Sequence, residues 1–397
     1  MGTFPDSFGS GLSTVKSQCG DELATGRDPW LGTEIAVCFR TNRKAFSVIK
    51  YLGSKRVLVP VLGQIMSAVG ASTALDLFTG TTRVAQEFKR RGAQVTAVDT
   101  ASYSEVLANC YITTDATTAD KDELADAIAE LNALAGRPGY FTETFCEKSR
   151  YFQPKNGARI DAIRDRLEAD FRGSSVFPVL MTSLMLAADR VDSTAGLQMA
   201  YLKQWAPRAH NDLQLRLPEL IAGTGRAARG DATSLASSLP PVDLAYLDPP
   251  YNQHRYFTNY HVWESLVRWD SPDYYGIACK RTDAREPASR SSFDSKKTMP
   301  AALAAVIAQV RADVVVVSYN NESWVEPAEI TRWLRDAGHA DVRMLSFDFK
   351  RYVGAQIGIH NPLGVKVGEV SHLRNTEFVF VAGSTDAVAA AVAAAQR

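Results

Sequence analysis

Val242-Asp243-Leu244-Ala245-Tyr246-Leu247 runs directly into Asp248-Pro249-Pro250-Tyr251. The first six residues are rich in Val, Leu and Tyr. They stop where two prolines forbid a continued ladder, so they predict a short core strand of an α/β sheet. Pro249 and Pro250 lack amide hydrogens and fix their own φ, which makes the turn stiff. A stiff turn at the carboxyl end of such a strand leaves Asp248 and Tyr251 facing the crevice where α/β sheets bind ligands. The carboxylate and the Pro249 carbonyl offer acceptors to an NH2 group, and the tyrosine offers a flat face to a heterocycle. Together they suit the exocyclic amine of a nucleobase. A tight turn with no ligand is the plainer alternative for the tetrapeptide alone.

Working outward, Ala74-Leu75-Asp76-Leu77-Phe78-Thr79-Gly80-Thr81-Thr82 predicts a second strand ending in a small-residue turn. Val84, Ala85 and Phe88 form an apolar stripe that predicts a helix next. Gly80 allows close approach of backbone to a ligand, and the helix start presents N–H groups. A third strand, Ala93 to Val98, ends at Asp99. That acid follows the glycine turn at about the twenty-residue spacing of a ribose-binding carboxylate. Gly80-Thr81-Thr82 lacks the further glycines of the dinucleotide fingerprint, so the unit reads as a nucleoside site without pyrophosphate, as S-adenosylmethionine (SAM) requires. An ordinary βαβ unit is the alternative.

Upstream stands Lys50-Tyr51-Leu52-Gly53-Ser54-Lys55. This hexapeptide, the glycine turn and Asp-Pro-Pro-Tyr, in that order, resemble the Dam-like (alpha-group) adenine-N6 DNA methyltransferases. The resemblance extends from about Ser47 to Gly383. Tyr151-Phe152, Asn156-Gly157, Leu186–Arg190 and Ser318–Glu322 match it more loosely, and Leu52 is bulkier than the pattern expects. The resemblance implies a Rossmann-like SAM-dependent methyltransferase sheet with an inserted, mainly helical DNA-recognition domain. It places Tyr51, Lys55, Asp76, Phe78, Gly80, Asp99, Asp231 and Asp248 at the cofactor, with Tyr51 and Lys55 touching it, Lys55 towards the methionine carboxylate, and Asp231 near its adenine. Asp248, Pro249 and Tyr251 become the catalytic residues, acting on an adenine extruded from the duplex. Tyr256–His261 resembles the segment that closes over the flipped base or the DNA backbone. Cytosine-N4 methylases usually carry Ser where this chain has Asp248, and protein glutamine methylases tend to carry Asn. A catalytically inactive DNA-binding relative, or an adenine-N6 methylase acting on RNA, is the alternative reading.

The 397 residues suffice for one large α/β domain with an insertion. Lys plus Arg equals Asp plus Glu at 44 each, so the chain has no excess of positive charge for nonspecific nucleic-acid binding. A DNA face therefore has to gather its cations locally. Lys148, Arg150, Lys155, Lys280, Arg281, Arg285, Lys296 and Lys297 are the candidates, with Lys89, Arg90 and Arg91 as weaker ones at a helix end. Five scattered cysteines form no close pair and no metal grouping with the histidines, which points to free thiols in a reducing cytoplasm and to no metal. No Pro-Cys nucleophile turn, signal segment or membrane-length apolar run is present. Expected partners are double-stranded DNA and, for a modification enzyme, a restriction endonuclease acting on the same site.

Residues 1–45 predict a loosely packed arm. Residues 46–110 and 226–397 form the discontinuous catalytic domain, and 111–225 the inserted helical target-recognition domain. Within the insertion, helices are expected over Asp122–Ala135, closed by Gly136, around Ile160, Ile163 and Leu167, and over Val179–Ala188. The stretch Tyr140–Asn156 alternates aromatics with cations and is a candidate for base and phosphate contacts. The alternative is a hydrophobic loop anchoring the insertion. Val314–Val317, Val342–Phe347 and Phe378–Val381 predict further strands, and the Ala-rich tail a terminal helix.

Overall fold

The computed structural model describes residues 35–36, 49–51, 55–250, 255–350, 359–360, 366–368 and 374–397. The expected arm over 1–45, except for the backbone of 35–36, lies outside these residues, as do Leu52–Ser54 and the candidate catalytic Tyr251.

The strands are β1 (Ile35–Ala36), β2 (Thr73–Asp76), β3 (Gln94–Asp99), β4 (Gly225–Arg229), β5 (Val242–Leu247), β6 (Tyr274–Tyr275), β7 (Lys280–Arg281), β8 (Ala312–Asn320), β9 (Asp341–Lys350), β10 (Ile359–His360), β11 (Lys366–Gly368) and β12 (Arg374–Gly383). The main sheet has the order β1-β9-β12-β8-β5-β2-β3-β4. From β8 to β4 all neighbours are parallel, whereas β12 runs antiparallel between β8 and β9. The predicted strands are present, each within a few residues of its expected bounds. Strand order reverses between β2 and β5, so the glycine turn and the Asp-Pro-Pro turn emerge side by side at a topological switch point.

Period-two alternation divides the sheet between two cores. Ala74, Leu244, Tyr246, Val314 and Val316 face one side. Leu75, Ala245, Leu247, Val315 and Val317 face the other. Their burial on both faces explains why these strands read as continuous apolar runs. The first core is covered by α1 (Val59–Ala68), α2 (Arg83–Arg90), α3 (Ser102–Ala108) and the inserted helices α4 (Lys121–Ala133), α5 (Tyr140–Thr142), α6 (Pro154–Arg166) and α7 (Phe177–Val191). The remaining helices are α8 (Ala232–Leu235), α9 (Tyr256–Asn259), α10 (His261–Arg268), α11 (Met299–Gln309), α12 (Pro327–Asp336) and α13 (Thr385–Ala395), with α8, α11 and α12 covering the second core.

The inserted segment is helical and shares one continuous apolar cluster with the sheet. Asp120 caps α4 by accepting from Asp122 and Glu123 backbone N–H groups. The helix ends at Ala133, before Gly136. Gly136 does not stop the helix. It lets the chain lie against α6, where a Cβ would stand 3.1 Å from the Ala158 Cβ.

The aromatic-cationic stretch resolves towards anchoring. Phe141, Phe145, Tyr151 and Phe152 are all buried. Asp161 gathers the backbone N–H groups of Gly139, Phe141 and Thr142 at 2.8–2.9 Å. Two candidate phosphate cations are buried as well. Lys89 Nζ donates to the Tyr111, Ile112 and Thr114 carbonyls at 3.1, 2.8 and 2.7 Å. Those acceptors close the π-helical turn Asn109–Thr113, so the ammonium satisfies carbonyls the helix end leaves over. Arg281 pairs with Asp270 and Asp283 at 2.6 and 2.7 Å.

Candidate functional site

The carboxyl ends of four adjacent parallel strands meet in one open crevice. Phe78 and Gly80 come from the turn after β2, Asp99 from the end of β3, Asp231 from just beyond β4, and Asp248-Pro249-Pro250 from the turn after β5. Tyr51 joins them from the segment before α1. Sequence reasoning placed these residues together, and the fold puts them around one space. Lys55 and Asp76 are also close but are not among the residues that line it.

The turn after β2 explains its own residues. Gly80 has φ +50°, and a Cβ there would meet the Tyr51 ring at 3.1 Å. Thr82 is held at φ 62°, an uncommon conformation for a β-branched residue, and its side chain does not cap α2. Asp76 takes over that task. Its Oδ2 accepts from the Thr79 hydroxyl at 2.9 Å and from the Ala85 N–H, in the first turn of α2, at 3.1 Å. Its Oδ1 is buried and has no hydrogen-bond partner among the described residues. Burial raises the Asp76 carboxyl to about 7, against the hydrogen bond from Thr79. Asp99 grips the same turn: Oδ2 accepts from Gly80 N–H at 2.8 Å and Oδ1 from Ala101 N–H at 3.0 Å. Burial raises its carboxyl too, opposed by these backbone donors.

Asp248 stands beside a lysine that reaches in from the N-terminal side. Lys55 Nζ lies 3.0 Å from Asp248 Oδ1 and 3.3 Å from Glu377 Oε2 on β12. Desolvation raises the Asp248 carboxyl to about 6. Lys55 pulls it down and Glu377 pushes it up. The lysine is buried, so this contact is only weakly screened by salt. In this arrangement the carboxylates nearest Lys55 belong to the protein, whereas the sequence pointed it at a ligand carboxylate.

The wall beside Asp231 comes from residues the sequence did not single out. Ser291, Phe293 and Asp294 line the crevice. Phe293 meets Phe78 edge-on at 5.0 Å, and Ser291 Oγ lies 3.4 Å from Asp231 Oδ2. Asp231 caps α8 through the Thr233 N–H. The one sequence signal for this wall is Ser291-Ser292-Phe293-Asp294, a capping box, which marks a turn but not its place in the fold. Tyr51 stacks on Tyr260 and Tyr256 at 4.5 and 5.4 Å, a second feature absent from the motif reading.

A family model described as "D12 class N6 adenine-specific DNA methyltransferase" matches residues 51–331. The chain belongs to that family. It is a DNA methyltransferase acting on N6 of adenine, and SAM is its methyl donor. Among curated relatives, this methyltransferase is 28% identical to "Type II methyltransferase M.NlaIII" of Neisseria lactamica over 83% of its own length and all of the relative's. It is 27% identical to "Type II methyltransferase M.CviAII" of Paramecium bursaria Chlorella virus 1, over 74% of this chain and 90% of that one. With "Modification methylase StsI" of Streptococcus sanguinis it shares 25% identity over 75% of its length, and it spans 48% of that relative. No helix of the methyltransferase is long and apolar enough to cross a membrane, among the described residues.

Proposed function

We propose that the crevice holds SAM and the target adenine together, that Asp248 and Pro249 are its catalytic acceptors, and that the chain is the modification enzyme of a restriction-modification system. The observation carrying the site assignment is the convergence of Gly80, Asp99, Asp231 and Asp248 at the switch point of the sheet.

The residues present fit a nucleoside bearing an amino-acid chain. Asp99, fixed by the Gly80 and Ala101 N–H groups, suits the ribose hydroxyls. Asp231 suits the cofactor's adenine amino group, with the contacting rings of Phe78 and Phe293 lining the same crevice. The buried Asp76 Oδ1 lacks a donor, which the ligand's ammonium would provide. Tyr51 lines this space, and its ring suits a sulfonium by cation–π attraction. When bound, SAM supplies an electrophilic methyl group.

Everything else falls to the protein. The Asp248 carboxylate and the Pro249 carbonyl accept hydrogen bonds from the two N6 hydrogens, which aims the nitrogen lone pair into the crevice. Positive charge develops on N6 during transfer, and a carboxylate fixed beside it stabilises that charge without reorganisation. Lys55 holds the carboxylate ionised and oriented. Tyr251, which follows Pro250 in the sequence, takes the role of stacking on the extruded base that the family resemblance implies. Holding both reactants in line contributes about 7–11 kcal/mol in well-oriented systems.

The named type II relatives support a modification role in the cytoplasm, with a cognate endonuclease cutting the same sequence. Incubation with methyl-labelled SAM and mixed-sequence duplex DNA, followed by nucleoside analysis, tests the reading. Labelled N6-methyladenine from duplex DNA, and none from an RNA control, is expected. Label in N4-methylcytosine, or only in RNA, overturns it. Mapping the methylated adenines then gives the recognition sequence.

A further inference from the structure

The extruded base that the proposed function requires leaves a gap in the DNA stack. One element outside the crevice has the shape to fill it. Strands β6 and β7 pair antiparallel, Tyr274 with Arg281 and Tyr275 with Lys280, and leave Gly276-Ile277-Ala278-Cys279 as the tip. Ile277 is 81% exposed, whereas the other exposed large apolar side chains among the described residues cluster near 40%. A single exposed isoleucine on a mobile loop would need no explanation. This one projects from a braced tip.

The bracing is specific. Cys279 N–H closes the turn onto the Gly276 carbonyl at 3.0 Å, with φ of 69° at Gly276 and 46° at Cys279. Ala278 and Cys279, the residues after Ile277, are buried, and the Ala278 carbonyl accepts from the Tyr151 hydroxyl at 3.2 Å. The Tyr140 hydroxyl donates to the Pro272 carbonyl at 2.7 Å. Arg281 clamps the base through both Asp270 and Asp283, with its Nη1 also 3.3 Å from Ser265 on α10. The fold thus holds the backbone on both sides of Ile277 and leaves its side chain to solvent.

The hairpin is also tied to the reacting site. Beyond Arg281, the Ala284 carbonyl accepts from Arg255 at 3.0 Å, and Arg255 pairs with Asp294 of the crevice wall at 3.7 Å. Four residues of extended chain separate Ile277 from Arg281, at most about 14 Å.

The charges on the segment from Asp270 to Lys297 favour a polyanion over an apolar protein surface. The acids Asp270 and Asp283 are held by Arg281, and Asp294 pairs with Arg255. The exposed cations Arg285, Arg290, Lys296 and Lys297 and the half-buried Lys280 remain on the segment, against Asp273 and Glu286. Arg285 lies over the Tyr275 ring at 3.6 Å, beside the tip. A lone exposed apolar side chain on a segment with more free cations than acids is too small for a protein interface but matches the wedges with which DNA-bending proteins part base steps.

We propose that Ile277 is a positioning residue that enters the duplex beside the target adenine and holds the base pair open, while Lys280, together with Arg285 and the other exposed cations of the segment, meets the phosphates. This rests on the adenine-N6 DNA reading above. The test compares kcat/KM of wild type, Ile277→Ala and Ile277→Leu on two forms of the mapped site, one with the target adenine paired and one with it mismatched. A mismatch lowers the cost of extrusion in advance. Ile277→Ala should lose about tenfold or more on the paired duplex and recover most of that on the mismatched one, while Ile277→Leu stays near wild type. Equal activity of Ile277→Ala and wild type on the paired duplex, or an equal loss on both duplexes, overturns the proposal. Wild type that methylates neither duplex would instead overturn the underlying function.

Discussion

Asp248 has two neighbours that pull its proton affinity in opposite directions. Lys55 at 3.0 Å favours the carboxylate, and Glu377, held by the same lysine, disfavours it. Because burial leaves the group at about 6, the acceptor role requires that kcat/KM fall as pH drops through about 6. Lys55→Met removes the lowering influence and should move this acid limb to higher pH. Glu377→Gln removes a raising influence and should move it to lower pH. Identical limbs in all three proteins would show that Asp248 is not the titrating group. The sequence made Asp248, Gly80 and Asp99 legible because each ends a strand or turn whose apolar run announces it. Asp294 and Glu377 were not legible, since one reaches the crevice and the other the Lys55 ammonium from distant elements, and only tertiary structure brings them in. Lys89 and Arg281 were misplaced as phosphate cations for a related reason: a sequence displays a charge but not its burial.

At the scale of elements, the helix end at Asn109–Thr113 depends on one ammonium. Lys89→Met keeps the bulk of the side chain but strands three carbonyl groups. It should cost about 2–3 kcal/mol, read as a lower midpoint in urea denaturation. A midpoint equal to wild type would mean water replaces the ammonium freely. Arg281→Met should loosen the β6–β7 hairpin by about 1–3 kcal/mol of local opening, since its acidic partners are partly solvated. Hydrogen exchange at Tyr274–Arg281 measures it, and unchanged protection contradicts the clamp. Strands were the most readable elements because burial on both faces forces unbroken apolar runs such as Val314–Val317. The stretch Tyr140–Asn156 was ambiguous because an aromatic that packs a core and one that meets a base have the same letter. Burial of Phe141, Phe145, Tyr151 and Phe152 decides for the core.

For the whole molecule, zero net charge means that DNA affinity comes from local cation placement, so binding should weaken steeply with salt. The crevice joins strand ends with the Tyr51 segment, so a ligand there should stabilise the entire fold. SAM at about 100 times its Kd should add about 2.7 kcal/mol to unfolding stability. Asp99→Ala should show much less of this gain at the same concentration. An equal gain in that variant would place SAM elsewhere. Sheet class and crevice position followed from motif order, whereas the shared core of insertion and sheet needed coordinates. The most direct measurement pairs methyl transfer to duplex DNA with SAM affinity in Asp248→Asn, which preserves shape while removing the charge. The account predicts loss of N6-methyladenine formation with SAM affinity within about threefold of wild type, because the variant alters an acceptor needed chiefly in the transition state. Methylation at the wild-type rate would contradict it.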